Sequence, residues 1–567
     1  MASSLGEVLV DEGIITKTDL EEALSRRQGT QESLGDLLVR MGKLTGRDRV
    51  WAMSRLYRVP FVDVAQTPIS PEVARLLPHA TAVKLTSLPV ERRGDALLVV
   101  MADPTDVTAI DEVSRATGLR PEPAIGVPED ILEAIFRVFG TGDDLSRVIE
   151  QALSDRESQP EEAEPESSAV TQLHELAEGP PIIRLVNVIV SQAIAERASD
   201  VHLEPGKEDV QVRIRVDGVL RETMTLPKDL QAATISRIKV MASMDIAERR
   251  APQDGRLTLV AHPKEYDVRV STYPGVFGES VVMRILDKSR SRIGLEQLGM
   301  PEPLLEQWKT LLLQPHGFLL VCGPTGSGKT TCLYAGLNLL NSGEKKIITI
   351  EDPVEYQIPG ITQAHVNPRA GLTFASGLRS IVRQDPDVVM VGEIRDTETA
   401  EIAIHAALTG HLVLSTLHTN ESAGAVSRLL EMGIEPFLMA SSLVGVLSVR
   451  LVRLVCPACA QPPEPPPSLL DRLHLPAPHS PQAGYRQAAG CPLCTQTGYH
   501  GRSGIFELLV VDETIRDAIM SRASAAEIQA RAVANGMTTL LQDAVERARR
   551  GETTVEEVLR VTASLAS

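Results

Sequence analysis

The sequence predicts an α/β protein built around a parallel, phosphate-binding sheet, and two observations carry that prediction. The octet Gly323-Pro324-Thr325-Gly326-Ser327-Gly328-Lys329-Thr330 fits the pattern G-x-x-x-x-G-K-[ST]. Around it lie short apolar runs that end in acidic or polar residues: Ile347–Ile350 before Glu351, Val388–Val391 before Gly392 and Glu393, and Leu412–Leu414 before Ser415. Runs of this length read as strands buried on both faces. The carboxyl ends of such strands open onto a ligand crevice.

Phe318–Cys322 supplies the strand before the octet, and Thr331 onward continues as a helix. The glycines let the backbone curl so that successive N–H groups point at the β- and γ-phosphates. Lys329 adds a point charge and the Thr330 hydroxyl ligates Mg²⁺. The chain is therefore expected to bind ATP or GTP through residues 323–331, with Thr331 closing the first helical turn.

The strand ends refine that expectation. Glu351, Asp352 and Glu355 close the first run, and all three carboxylates are expected to face the nucleotide. Val388–Glu393 has the form of a Walker B strand, except that Gly392 stands where a metal-binding aspartate is usual. Glu393 remains placed to orient or deprotonate an attacking water. The third run ends at His418, suited to sensing the γ-phosphate, although a lone histidine is more often structural. Arg379, Arg383 and Arg395 bracket the Walker B strand and are arginine-finger candidates, in cis or in trans.

The rest of the chain is organised around this centre. At 567 residues it has room for several domains, and with 3% aromatics its cores must be aliphatic. Ser4-Leu5-Gly6 and its neighbours recur at Ser33-Leu34-Gly35, each copy with helical apolar spacing and a glycine stop (Gly13, Gly42), as in paired helical hairpins. Residues 1–140 form a helical-repeat plus α/β docking domain, and 141–178 an acidic, Pro/Ser-rich flexible linker. Residues 179–290 form a second domain, in which a helix (Ile182–Arg197) precedes alternating strands. The outward arginines of those strands, Arg213, Arg215, Arg269 and Arg284, read equally well as an ordinary polar sheet face. The nucleotide domain spans 291–455, a cysteine segment 456–505 and a helical region 506–567.

Charge and cysteine usage exclude other classes. With 57 basic and 75 acidic residues the net charge is −18, which argues against a broad nucleic-acid surface and for no nucleic-acid partner. The N-terminus has no signal-peptide pattern and no run is long enough to span a membrane, so a cytosolic protein is expected. Cys456, Cys459, Cys491 and Cys494 form two C-x-x-C pairs 31 residues apart. They offer four soft ligands for a closed, structural Zn²⁺ site, with the Pro-rich stretch between them looped out. Disulfides or free thiols are the rival reading, disfavoured in a reducing compartment.

Taken in order, the octet, the strand 349–355, Arg383–Asp396 and Thr409–Asn420 resemble the motifs of the type II secretion and type IV pilus ATPase family. Glycine before the Walker B glutamate is that family's own pattern. Upstream, Ala198–Pro205, Arg213–Gly218 and Pro252–Arg256 resemble its second N-terminal domain, so the likeness spans about 180–567. Leu286-Asp287-Lys288 and Ser441–Leu447 look more like secretion (GspE-type) members than pilus-extension (PilB-type) members.

The resemblance implies a RecA-like P-loop ATPase domain, a PAS-like α+β second N-terminal domain, a small N-terminal α+β domain and a zinc-binding tetracysteine insertion. It also implies a cytoplasmic homo-hexamer at the inner membrane, hydrolysing ATP to drive pseudopilus assembly and protein export. Glu393 and Glu355 would handle the water, and Arg269 and Arg284 would approach the nucleotide. The implied partners are inner-membrane platform proteins, GspL-like through the N-terminal domain and GspF-like. The N-terminal repeat further resembles a module that binds cyclic di-GMP in some relatives, where it opens Arg-Leu-Gly. Serine at positions 4 and 33 removes the groups suited to phosphate or guanine contact, so docking on a membrane partner is the expected role.

Overall fold

A computed structural model describes residues 5–27, 34–64, 67, 69–139, 180–261, 264–287, 293–461 and 484–563. The expected linker (141–178), the Pro-rich stretch between the cysteine pairs (462–483), Ser4, Ser33 and Lys288 lie outside the described residues. The chain forms two units, Met1–Asp287 with Cys491–Gln496, and Lys288–Gly490 with Thr497–Ser567. Among the described residues no helix is long and apolar enough to cross a membrane.

The first unit opens with the repeat. Helices Leu5–Asp11 and Lys17–Arg27 are followed by Leu34–Arg40 and Gly46–Tyr57, and Leu9, Ala23, Leu37, Leu38 and Ala52 fill their shared core. A three-stranded sheet comes next: Ala96–Met101 lies between antiparallel Ser87–Arg93 and parallel Arg120–Ile125. Its middle strand is buried throughout, as its uninterrupted apolar sequence requires.

After helix Pro180–Ala195, six antiparallel strands pair in the order Val219–Pro227, Asp209–Val216, Asp200–Pro205, Gly278–Asp287, Lys264–Gly275 and Gln253–Ala261. Alternation decides which face is covered. Val201, Leu203, Val212, Ile214, Val268, Val270, Val281 and Met283 pack beneath helices Pro180–Ala195 and Gln231–Met241. The arginines of the same strands take the opposite face.

The second unit holds a seven-stranded sheet. In spatial order its strands are Thr362–His365, Ile347–Glu351, Val388–Val391, Leu412–Leu417, Gly317–Cys322, Leu443–Val455 and Tyr499–Val510. All neighbours run parallel except the last pair. Helices cover both faces, which is why four central strands are apolar at nearly every position. Leu320, Ile350, Val391 and Val413 meet helices Phe374–Ile381, Thr397–Leu408 and Ser422–Glu431. Leu319, Val321, Met390 and Leu414 meet Glu302–Leu312 and Lys329–Leu340.

Tyr499–Val510 brings the sheet past the cysteine segment and into the region expected to be helical. Four helices follow it: Glu513–Met520, Ala525–Ala534, Leu540–Arg549 and Val555–Thr562. Buried Glu507 on that strand accepts from Ser422 N at 2.9 Å and Leu540 N at 3.2 Å, capping two helix N-termini where a negative charge is favourable. Buried Glu557 accepts from Arg453 Nη2 at 2.8 Å and from Arg560 Nη2 at 2.6 Å.

Burial raises the Glu557 carboxyl, but the bonds from Arg560 and Arg453 more than reverse this and hold it below the ordinary 4.5. A depressed folded pKa gives stability that is present above the ordinary value and lost as pH falls through the folded one. We predict that Glu557→Gln, which takes the carboxylate from largely covered Arg453 while half-exposed Arg560 can turn to water, costs about 1–3 kcal/mol in urea unfolding at pH 7. The gap to the native chain should narrow as pH drops below 4.5.

Candidate nucleotide site

The octet forms a tight turn between strand Gly317–Cys322 and helix Lys329–Leu340. Gly323 has φ 148°, and a Cβ there would meet Ser327 Oγ and the Val449 carbonyl at 2.5 Å each, so no other residue fits. Gly328, at φ 99°, opens the helix. The turn directs Lys329 inward. Its side chain is only 8% exposed, and Nζ donates to the carbonyls of Gly323 at 2.8 Å and Pro324 at 3.0 Å. Burial pulls the Lys329 pKa down, and Cys322 and Glu393 pull it back. Pro324, Thr325, Gly326 and Thr330 remain exposed at the mouth of the turn.

The ends of the neighbouring strands converge on the same ammonium. Lys329 Nζ lies 3.5 Å from His418 Nδ1, and His418 Nε2 lies 3.0 Å from Glu393 Oε2. An ammonium has no acceptor, so Nδ1 must accept and the proton sits on Nε2, which donates to Glu393. Glu393 is also paired with Arg395, which lies 3.7 Å from Asp352. Thr416 Oγ1 donates to the Gly392 carbonyl at 2.8 Å and fixes the two strand ends together. A Cβ at Gly392 would sit 3.3 Å from Glu351 Cα and 3.4 Å from the Ile350 carbonyl. An aspartate in the usual Walker B place would crowd the adjacent strand.

One expected acid is not at the mouth. Glu351 is 3% exposed and accepts from the Tyr334 hydroxyl, from Thr349 Oγ1 at 2.5 Å and from Gln363 Nε2 at 3.2 Å. Thr349 and Glu351 are two apart on a strand, so they share a face and that face is internal. Asp352 is exposed and Glu355 half-buried. The expectation that all three carboxylates face the nucleotide is therefore corrected to Asp352 and Glu355.

The arginines divide in the same way. Arg395 joins the Glu393 cluster, whereas Arg379 pairs with Glu398 and Arg383 lies against Ser380 Oγ at 3.5 Å. In the first unit, Arg269 and Arg284 stand opposite each other in register, and sequence reasoning missed what continues the row. Arg256 faces Arg269, Asp200 faces Arg284, and Arg215 faces Asp200. Arg284 Nε donates to Asp200 Oδ1 at 2.8 Å. Burial raises the Asp200 carboxyl, but the bonds from Arg284 and Ser199 more than offset this and leave it below its ordinary value. Only strand pairing reveals this row. Tyr334 was also missed, since a tyrosine inside a helix reads as core.

Cys456, Cys459, Cys491 and Cys494 place their sulfurs within 4.8 Å of one another, with no disulfide among them. The Cys491 and Cys494 sulfurs are 3.7 Å apart. A tetrahedron with metal–sulfur bonds of about 2.3 Å has edges of about 3.8 Å, so the donor set suits Zn²⁺.

Residues 175–560 match the family model described as type II/IV secretion system protein, and residues 57–145 match the MshEN domain. The chain is 45% identical over 565 residues to the type II secretion system protein E of Xanthomonas campestris pv. campestris, covering 98% of each. It is 42% identical to the type IV pilus assembly ATPase PilB of Myxococcus xanthus over 567 residues, 99% of each. A third relative, type II secretion system protein E of Pseudomonas aeruginosa, is 53% identical over 390 residues, 69% of this chain and 77% of the relative. Among solved structures, the ATPase DotB of Legionella pneumophila superposes with a TM-score of 0.50 at 20% identity, covering 67% of this chain and 95% of that one. That likeness is one of fold.

Because Lys329 is the charge around which the loop closes, Lys329→Ala should weaken ATP binding by at least about 100-fold, roughly the loss of one strong charge-assisted contact set. Titration with a fluorescent ATP analogue, alongside unchanged helical circular dichroism, checks this.

Proposed function

The chain belongs to the type II/IV secretion system protein family, a family of RecA-like P-loop ATPases, and from that membership we propose that it is the ATP-hydrolysing motor of a type II secretion system. The observation that carries the catalytic part is the chain of contacts Lys329–His418–Glu393 at the carboxyl ends of three parallel strands. Phosphates entering the loop compete with the Gly323 and Pro324 carbonyls for the ammonium. As Lys329 turns to them, His418 Nδ1 loses its donor while Nε2–H still holds Glu393. The histidine thereby couples occupancy of the loop to the carboxylate that orients the attacking water. Glu393 takes the proton as the water oxygen bonds to the γ-phosphorus and the bond to the bridging oxygen breaks. Glu355 assists from the acidic loop, and Arg395 holds Glu393 in place.

Thr330 and water held by Asp352 and Glu393 would bind Mg²⁺, which when bound neutralises charge on the β- and γ-oxygens. The four cysteines would hold Zn²⁺ as a structural cross-link with no open position. In a homo-hexamer at the cytoplasmic face of the inner membrane, Arg269 and Arg284 add positive charge to that of Lys329 and Arg395 at the nucleotide. Arg379 and Arg383, committed to Glu398 and Ser380 here, are secondary candidates for that role across a subunit boundary. Residues 1–140 dock on an inner-membrane platform protein, GspL-like in kind, and a GspF-like protein receives the stroke. The likeness to PilB supports a second reading, a pilus-extension motor.

Glu393→Gln should retain ATP binding and lose about 10²-fold or more in kcat, the range of a general base. In a strain deleted for the gene, the native chain should restore protein secretion and this variant should not. Restoration of pili without secretion would select the second reading. Metal analysis should find about one zinc per chain, falling to background in a Cys491→Ser/Cys494→Ser variant or after chelation, together with a lower melting temperature.

A further inference from the structure

Tyr334 sits on the same helix as Lys329 and its side chain is fully buried at 0% exposure. A buried hydroxyl must be partnered, and this one serves both sides of a junction. It donates to Glu351 at the end of the neighbouring strand and accepts from the backbone N–H of Glu355 at 3.3 Å. Burial and the adjacent Glu351 charge push the phenol well above its ordinary 10.0, so it stays a donor. The other Glu351 oxygen accepts from Thr349 Oγ1 and Gln363 Nε2. Gln363 in turn grips the acidic loop, donating to the Tyr356 carbonyl at 3.3 Å and accepting from Ile358 N at 2.7 Å. The Tyr334 and Tyr356 rings meet edge to face, 4.5 Å between centroids.

The loop that carries Glu355 is thus held at Glu355, Tyr356 and Ile358 by partners that all converge on the internal carboxylate Glu351. We propose that Tyr334 is a positioning residue for hydrolysis, tying the Glu355 backbone to the phosphate-loop helix so that the seat of the phosphates and the carboxylate near the water move as one. This rests on the reading of Glu355 as a water-handling group. It gives Glu351 a task as well: the anchor of the linkage rather than a ligand-facing acid.

Tyr334→Phe keeps the ring and its contact with Tyr356 and deletes only the O–H. Displacing a reacting group by an ångström costs up to about 100-fold in rate. The expected result is therefore a kcat at least about tenfold lower, with KM and ATP affinity within about twofold. The decisive measurement is a double-mutant cycle with Glu355→Gln, which retains the backbone N–H but not the carboxylate. If Tyr334 acts through Glu355, the double variant turns over no more slowly than Glu355→Gln alone. Losses that multiply, or an unchanged kcat in Tyr334→Phe when Glu355→Gln is impaired, overturn the proposal. Full turnover in Glu355→Gln would instead remove the reading on which it rests. Should Tyr334→Phe fold poorly, Glu351→Gln weakens the same linkage from the other side, and the same cycle applies to it.

Discussion

A nearly buried ammonium cannot be left without acceptors, and among the described residues Lys329 has its own loop and His418 to turn to. The loop's own carbonyls and the imidazole nitrogen therefore hold the lysine in place. In the proposed mechanism phosphate oxygens gain it by exchange with those acceptors, which costs less than creating a bare charge. The same constraint orders the rest of the cluster, because the proton on His418 Nε2 follows from the lysine at Nδ1. Glu393 is in turn held by His418 and Arg395 together.

Parallel register makes this convergence possible. Val391 pairs with Ser415, and Cys322 with Leu417, so the residues just beyond these pairs emerge side by side. Gly392 lies directly beside the strand ending at Glu351, where an added Cβ would be a tight fit. The acid one position on, Glu393, is largely covered and held beside His418 and Arg395. Glu351 shows the complementary solution: an acid that packing turns inward becomes a clamp on the loop that carries the working acids.

How much of this was legible depended on whether a residue's role was local. The octet, the apolar runs and the paired cysteines are short-range patterns, and each folded as its pattern required. Thr539 and Gln542, which form a capping box ahead of helix Leu540–Arg549, were an equally local signal that went unread. Other features had no local signal. Tyr499–Val510 spans the expected cysteine segment and the expected helical region, and it is a strand through its pairing with Leu443–Val455. The side to which Glu351 points depends on Thr349, Tyr334 and Gln363 arriving from three elements, and no spacing encodes that.

The cross-strand row Arg256, Arg269, Arg284, Asp200, Arg215 carries that lesson to charge. Like charges directly opposite in a sheet are unfavourable, and two of the four junctions in this row set arginine against arginine. Asp200 relieves one end: its buried carboxylate lies 3.7 Å from Arg215 and accepts from Arg284 and Ser199, whose bonds outweigh burial and hold its pKa below the ordinary value. At the other end Arg256 stands opposite Arg269, on a chain whose net charge is −18. A fold tolerates such a local conflict where function requires it. The face opposite the helices thus sets four arginines against one aspartate in a single row, a local basic balance that the overall charge conceals.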